Sequence, residues 1–320
     1  MRILITMPVY EDWASAMELC QSIDNIFLQE KSFQVRILLI DDGSTATDCP
    51  RELPFDPLAL EGVSLLSLRR NLGHQRAIAI ALAHIQQKRE GDAAVVMDAD
   101  GEDRPEDILL LLKAMQKTSR PTAVFAERGK RLENALFRFF YNVYRALHRI
   151  LTGRDIRFGN FSVLPWSHLE TLVLSPEMWN HYAATFLKSR LPYVRVRCDR
   201  AKRKTGKSHM NYVGLLIHGL SALLANQEVV GTRLLVMMLV TTIAVFLTIL
   251  SVVVAHLLTH LVIPGWATVT MGLLIVLVSQ SLIAACLLIF SMMIERSQLG
   301  FLPMRDYAYF VRGEFPLFSR

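Results

Sequence analysis

From Leu234 to Ile294 the sequence contains no Asp, Glu, Lys or Arg. A single helix of that length would reach roughly 90 Å at about 1.5 Å per residue, about three times the hydrocarbon thickness of a bilayer, so the stretch must fold back. Pro264-Gly265 marks the turn and divides it into two expected transmembrane helices, about Val229 to Leu258 and about Trp266 to Ile294. Two uncharged spans of this length argue against the competing reading, a hairpin buried in a soluble core. The loop between them lacks Lys and Arg, whereas Arg233 precedes the first span and Arg296, Arg305, Arg312 and Arg320 follow the second. Both flanks are therefore expected in the cytoplasm, with the protein in the inner membrane. Met1 to Tyr10 lack the length and cleavage pattern of a signal peptide, consistent with that expectation. Cysteine is scarce: Cys20, Cys49, Cys198 and Cys286 show no metal or redox spacing, and reduced, structural thiols are expected.

Two nucleotide signatures are also missing. No G-x-G-x-x-G follows the first apolar run and no Walker glycine-lysine loop occurs, which argues against a dinucleotide fold and a P-loop ATPase. The net charge of +6 is concentrated at Arg200, Lys202, Arg203, Lys204 and Lys207, just ahead of the spans. That position points to lipid phosphate or an anionic leaflet, and nucleic acid is not an expected partner.

What is present before the spans alternates. Arg2 to Met7, Val35 to Ile40, Val63 to Leu68, Ala93 to Met97 and Thr122 to Phe125 are short runs rich in Val, Ile and Leu and read as strands. Trp13 to Leu28, His74 to Gln87 and Pro105 to Met115 carry apolar residues at helical intervals. The pattern predicts an α/β domain with a mainly parallel sheet covered on both faces. Leu132 to Leu151 reads as an aromatic-rich helix and Gly153 to Leu164 as a loop and strand. The expected division is a cytoplasmic catalytic domain over 1–210, an interfacial amphipathic helix over 211–228, a transmembrane hairpin over 229–294 and a cytoplasmic tail over 295–320.

The most informative motif is Val95-Val96-Met97-Asp98-Ala99-Asp100-Gly101-Glu102-Asp103, an apolar run that stops in four carboxylates. In open α/β sheets the carboxyl ends of the strands border the ligand crevice. Asp98, Asp100 and Glu102 could aim three oxygens one way, as Mg2+ or Mn2+ requires. The plain alternative is an acidic turn ahead of a helix that begins at Pro105 with Glu106 and Asp107 in its first turn. Polar clusters also follow other strands: Pro8-Val9-Tyr10-Glu11-Asp12, Asp41-Asp42-Gly43-Ser44 and Arg69-Arg70-Asn71-Leu72-Gly73. Each has an ordinary turn explanation. Gathered at one sheet edge, they describe a site for a nucleotide diphosphate.

In the order and spacing of these motifs the chain resembles the family 2 glycosyltransferases of GT-A fold, in particular the polyprenyl-phosphate glycosyltransferases related to dolichyl-phosphate mannose synthase. The matching residues are Pro8-x-Tyr10, Asp41-Asp42-Gly43-Ser44, Arg70-Asn71-x-Gly73, Asp98-x-Asp100 with Asp103 and Pro105-Glu106, and Arg203-x-x-Gly206-x-Ser208 ahead of two spans. The resemblance implies a GT-A domain that takes a UDP- or GDP-linked sugar as donor and polyprenyl phosphate as acceptor, working at membrane lipid, with a second copy in a homo-oligomer among the partners to be tested. It implies nucleotide-sugar contacts at Pro8, Tyr10, Asp12, Asp42, Asp98 and Arg128, and metal ligands at Asp98, Asp100 and Glu102. Asp100, Asn160 and Arg203 are the implied catalytic residues, and Arg200, Arg203, Lys207, Ser208 and His209 are the expected acceptor-phosphate contacts.

Three positions depart from the family pattern. Glu102 stands where Gln is usual, His209 where Lys is usual, and Gly159-Asn160-Phe161-Ser162 where relatives carry Gly-Asp-Phe-Arg or Gly-Ser-Phe-Arg. The last removes a carboxylate sometimes given the role of base. A phosphate acceptor does not need one, since its second pKa is near ~6 and it is mostly dianionic at pH 7. The expected reaction is one inverting displacement. A hydroxyl acceptor and a non-catalytic nucleotide-sugar-binding scaffold are the alternatives. Gly272 and Ser279 are small residues that permit close packing of the spans.

Overall fold

The computed structural model describes residues 1–45, 49–128, 146–153, 158–199, 201, 221, 223, 225–258, 265–297 and 300–320. The chain forms two compact units: the described residues within 1–141, 155–225 and 301–320, and those within 142–154 and 226–300.

In the first unit the apolar runs become β1 (Arg2–Val9), β2 (Gln34–Asp41), β3 (Leu60–Leu68), β4 (Ala93–Val96) and β5 (Ala123–Arg128). The periodic segments become α1 (Trp13–Phe27), α2 (His74–Lys88) and α3 (Pro105–Gln116). Beyond them lie β6 (Phe158–Pro165), α4 (Trp166–Leu172), α5 (Tyr182–Ser189) and β7 (Tyr193–Cys198). β1 pairs in parallel with β2 and β4, and β2 with β3. β6 enters antiparallel between β4 and β5, so the mainly parallel sheet is mixed. The helices alternate sides: α1 and α3 pack with one buried cluster containing Ile5, Ile23 and Ile108, and α2, α4 and α5 with another containing Ile80, Leu169 and Phe186. β4 is buried throughout because it lies between these layers at the centre of the sheet.

The expected tail over 295–320 is corrected. Val311–Ser319 forms β8, antiparallel to β3 from Gly62↔Ser319 to Leu68↔Val311, and it completes a sheet of order β7-β5-β6-β4-β1-β2-β3-β8. Glu314 on β8 accepts from Lys88 Nζ and lies 2.8 Å from His84 Nε2, both on α2. Tyr307 Oη donates to Gln87 Oε1. The His84 hydrogen bond, helped by Lys88 and opposed by burial, lowers the Glu314 pKa to about 2. An edge strand accommodates Pro316, which has no N–H to give.

In the second unit, α6 (Gln227–Leu258) and α7 (Trp266–Ser297) are the expected apolar pair. Gln227–Ala255 and Thr268–Met293 are long and apolar enough to cross a membrane, and 6% and 0% of their most apolar 18-residue windows are buried inside the protein. Exposed apolar surfaces of this length suit an apolar surrounding better than water. The close approach falls at Gly231, where a Cβ would lie 2.5 Å from Met292 Sδ. At Gly272 an added Cβ would meet nothing within 4 Å among the described residues of this chain. Of the expected helix over 132–151, residues 146–151 are helical and the rest lie outside the described residues, as does most of the 211–228 segment.

Candidate active site

The carboxyl ends of β1, β2 and β4 bring the polar clusters to one edge. Glu11, with a left-handed backbone at φ +56°, turns the chain from β1 into α1. Its Oε1 accepts from Thr45 N and Oγ1 at 2.7 and 2.9 Å, and its N–H donates to Ser44 Oγ. Asp41 accepts from Ser44 N at 2.9 Å and from Ser67 Oγ at 3.2 Å. Gly43, at φ +70°, sits where a Cβ would lie 2.4 Å from the Arg70 carbonyl carbon, which admits no other residue. The β1, β2 and β3 loops are thereby tied into one rim, with Tyr10 exposed on it and Pro8 buried beneath.

Asp42 has a different place from the expected base contact. It is 3% exposed, and its two oxygens accept from Leu72 N and Gly73 N at 2.8 and 2.9 Å. Burial raises its pKa against the pull of those two N–H groups. Its visible work is to hold the loop that launches α2.

The acid turn is folded on itself. Asp98 N donates to Asp103 Oδ2 at 3.2 Å, and Glu102 N donates to Asp100 Oδ1 at 3.0 Å. Asp103 is buried, while Asp98 and Asp100 are partly open. Among the described residues no three His, Cys, Asp or Glu side chains stand together as a preformed metal cluster. Asp100 and Asp103 each accept from a backbone N–H of the turn, while Asp98 Oδ1 faces His74 and Asn160. The donor chemistry at Asp98 and Asp100 still fits a hard cation that takes one or two carboxylates and completes its shell with substrate phosphates. Beside Asp100 a cleft is lined by Ser15, Glu18, Gly101, Arg104 and Ala201. Ala201 N donates to the Glu102 carbonyl at 3.0 Å, so the chain enters its basic segment at the acid turn.

Asn160, on β6, is brought to Asp98 by the antiparallel pairing of β4 and β6. Its Nδ2 lies 2.9 Å from His74 Nε2 and 3.5 Å from Asp98 Oδ1, and His74 Nε2 lies 3.0 Å from Asp98 Oδ1. Burial lowers the imidazole pKa, but Asp98, its hydrogen bond, Asp100 and Asp42 together outweigh it and raise the pKa. His74 and Gln75 were missed by the sequence reading; the only available signal was two polar residues opening a helix directly after Arg70-Asn71-x-Gly73. Asp12 precedes α1, near this rim. Arg128 ends β5, with its side chain outside what is described. Arg200, Arg203, Lys207, Ser208 and His209 lie outside the described residues.

The sequence model described as Glycosyl transferase family 2 matches residues 4–163. An uncharacterized glycosyltransferase, YkcC, of Bacillus subtilis (strain 168) is 30% identical over 152 residues, covering 47% of this chain and 43% of that one. The undecaprenyl-phosphate 4-deoxy-4-formamido-L-arabinose transferase of Aeromonas hydrophila is 32% identical over 114 residues, 35% of this chain and 33% of that one. The matched stretch thus spans less than half the length of either relative. Among solved structures, glucosyl-3-phosphoglycerate synthase from Mycobacterium tuberculosis, in complex with Mn2+, UDP-glucose and phosphoglyceric acid, aligns with a TM-score of 0.51 at 17% identity. That alignment covers 72% of this chain and 80% of that one, and at this identity it shows a shared fold.

Proposed function

Because the chain belongs to glycosyl transferase family 2 and has the GT-A fold, we propose that it is an inverting enzyme moving a sugar from a nucleotide diphosphate to polyprenyl phosphate at the membrane surface. The observation that carries this reading is the bond from Ala201 N to the Glu102 carbonyl, which starts the basic segment at the acid turn. With Ala201 beside the acid turn, the basic sequence that follows it suits a reaction in which a phosphate attacks a diphosphate sugar. The undecaprenyl-phosphate relatives and the solved neighbour with Mn2+ and UDP-glucose support the same reading.

Pro8, Tyr10 and Asp12 on the rim take the nucleotide, with Asp42 acting through the loop it anchors. Asp98 and Asp100, with the donor's phosphates, would hold Mg2+ or Mn2+, which when bound offsets the charge gathering on the departing diphosphate. Arg128 assists at the diphosphate. Arg203, with Arg200, Lys207, Ser208 and His209, holds the acceptor phosphate, where the guanidinium fork suits phosphate geometry. The attacking oxygen arrives already deprotonated, so Asn160 orients it without taking a proton.

The anchoring follows from the acceptor, since each polyprenyl CH2 drawn into water costs about 0.8 kcal/mol. β3 precedes both apolar helices and β8 follows them, yet the two strands pair. This supports an even number of crossings, with the flanks on one side, and the Arg distribution supports the cytoplasmic side.

The test is incorporation of radiolabelled sugar into organic-extractable lipid by purified protein with Mn2+ or Mg2+, undecaprenyl phosphate and a panel of nucleotide sugars. Metal-dependent product from one donor, lost in Asp100→Ala, is the expected result. Nucleotide-sugar binding with no lipid product from any donor overturns the acceptor assignment.

A further inference from the structure

Asn and Gln amides can face either way, and their polarity is usually inferred from a network of equally ambiguous partners. Here one end of the network is unambiguous. The backbone N–H of Tyr182 opens α5, where no carbonyl of its own helix can receive it, and it donates to Gln75 Oε1 at 2.7 Å. The other end of Gln75 is therefore its NH2, 3.1 Å from Asn160 Oδ1. With Oδ1 taken by that donor, Asn160 Nδ2 is on the far side, 3.5 Å from the acceptor-only Asp98 Oδ1 and beside His74 Nε2, whose role in that contact follows its tautomer. Tyr182 is itself fixed: its hydroxyl meets Ser162 Oγ at 2.6 Å, and Ser162 Oγ donates to the Asn160 carbonyl at 2.8 Å.

Resting on the reading above, we infer that Gln75 is a positioning residue that fixes the Asn160 amide so that it presents N–H donors, and not an acceptor, beside Asp98 to an anionic acceptor group. Reversed, the Asn160 carbonyl would face the Asp98 carboxylate and repel an incoming phosphate. The chain Tyr182 N–H, Gln75, Asn160 thus carries a polarity from a helix start into the site.

Gln75→Glu and Gln75→Leu separate this role from packing. In Gln75→Glu, one carboxylate oxygen keeps the Tyr182 N–H and the other demands a donor, which turns the Asn160 amide over. Its kcat for lipid product is expected to fall about 10- to 100-fold, with the KM for nucleotide sugar within about twofold. Gln75→Leu strands the Tyr182 N–H and costs more thermal stability than Gln75→Glu, yet it loses less kcat. A packing role leaves the stability order the same but reverses the kcat order, with Gln75→Leu losing more kcat than Gln75→Glu, and that reversal would overturn the inference. A second readout is independent of transfer. With asparagine 15N-labelled, the Asn160 side-chain pair, assigned by its loss in Asn160→Ala, is expected to move in Gln75→Glu; an unmoved pair overturns the inference. If the wild-type protein makes no lipid product, the acceptor assignment falls while the amide spectrum still decides the role of Gln75.

Discussion

Carboxylates gather at two places in the sheet and are held in opposite ways. At the site edge, Asp41, Asp42, Asp100 and Asp103 accept from backbone N–H groups, whereas Glu314 on the last strand accepts from His84 and Lys88. Backbone donors fix a carboxylate without cancelling its charge. Cationic side chains do both. The first arrangement keeps negative charge at the edge where the proposed site lies; the second fastens one part of the fold to another. Position, and not residue type, decides which carboxylates are for ligands and which are for the fold.

The comparison breaks most visibly at Asp100. Asp100→Asn is expected to lower kcat/KM on the order of 1000-fold, with an unchanged or slightly raised Tm because like charges at the rim repel. A large loss of Tm would mean that this carboxylate, too, belongs to the fold. Asp42→Asn tests the mixed case. An amide has one acceptor oxygen for two N–H groups, so thermal or denaturant unfolding should show a loss of about 1–3 kcal/mol, together with weaker nucleotide-sugar binding.

Glu314→Gln should lower stability by on the order of 1–3 kcal/mol at pH 7 and leave kcat within about twofold. Its pH dependence has a definite sign. The folded pKa of about 2 lies below the ordinary carboxylate value, so the contribution is complete above about pH 4.5 and is lost as pH falls toward 2. Unfolding curves of the two proteins should converge over that window, and a gap that persists at low pH would contradict the clamp. The smallest effect is expected at Asp24, whose Oδ1 accepts from Ala59 and Leu60 and shares the Leu58 N–H with Oδ2. Asp24→Asn keeps that oxygen and should cost less than about 1 kcal/mol by chemical denaturation.

The central strands and first three helices were legible because each has its own period and a buried face. β4 is a solid apolar run, and α3 announces itself with Pro105, Glu106 and Asp107. β8 was not legible. Val311 to Ser319 contains Gly313, Glu314 and Pro316, has no fully buried residue, and becomes a strand only through its pairing with distant β3. The rim motifs announced a site, but their division of labour did not show. Asp42 read as a ligand contact, and no local spacing announced that it also anchors Leu72 and Gly73. His74 and Gln75 gain meaning only when β6 delivers Asn160 across the sheet, a juxtaposition no local spacing encodes.

The position of β8 also sets an order of assembly. A ribosome finishes β3 long before it makes Val311 to Ser319, and both apolar helices are made in between. Until that last stretch is made, β3 has an open edge and α2 lacks the strand that grips it at His84 and Lys88. The sheet is therefore closed by a strand that lies beyond both apolar helices in the chain, and anything that halts the chain at those helices also leaves the sheet open.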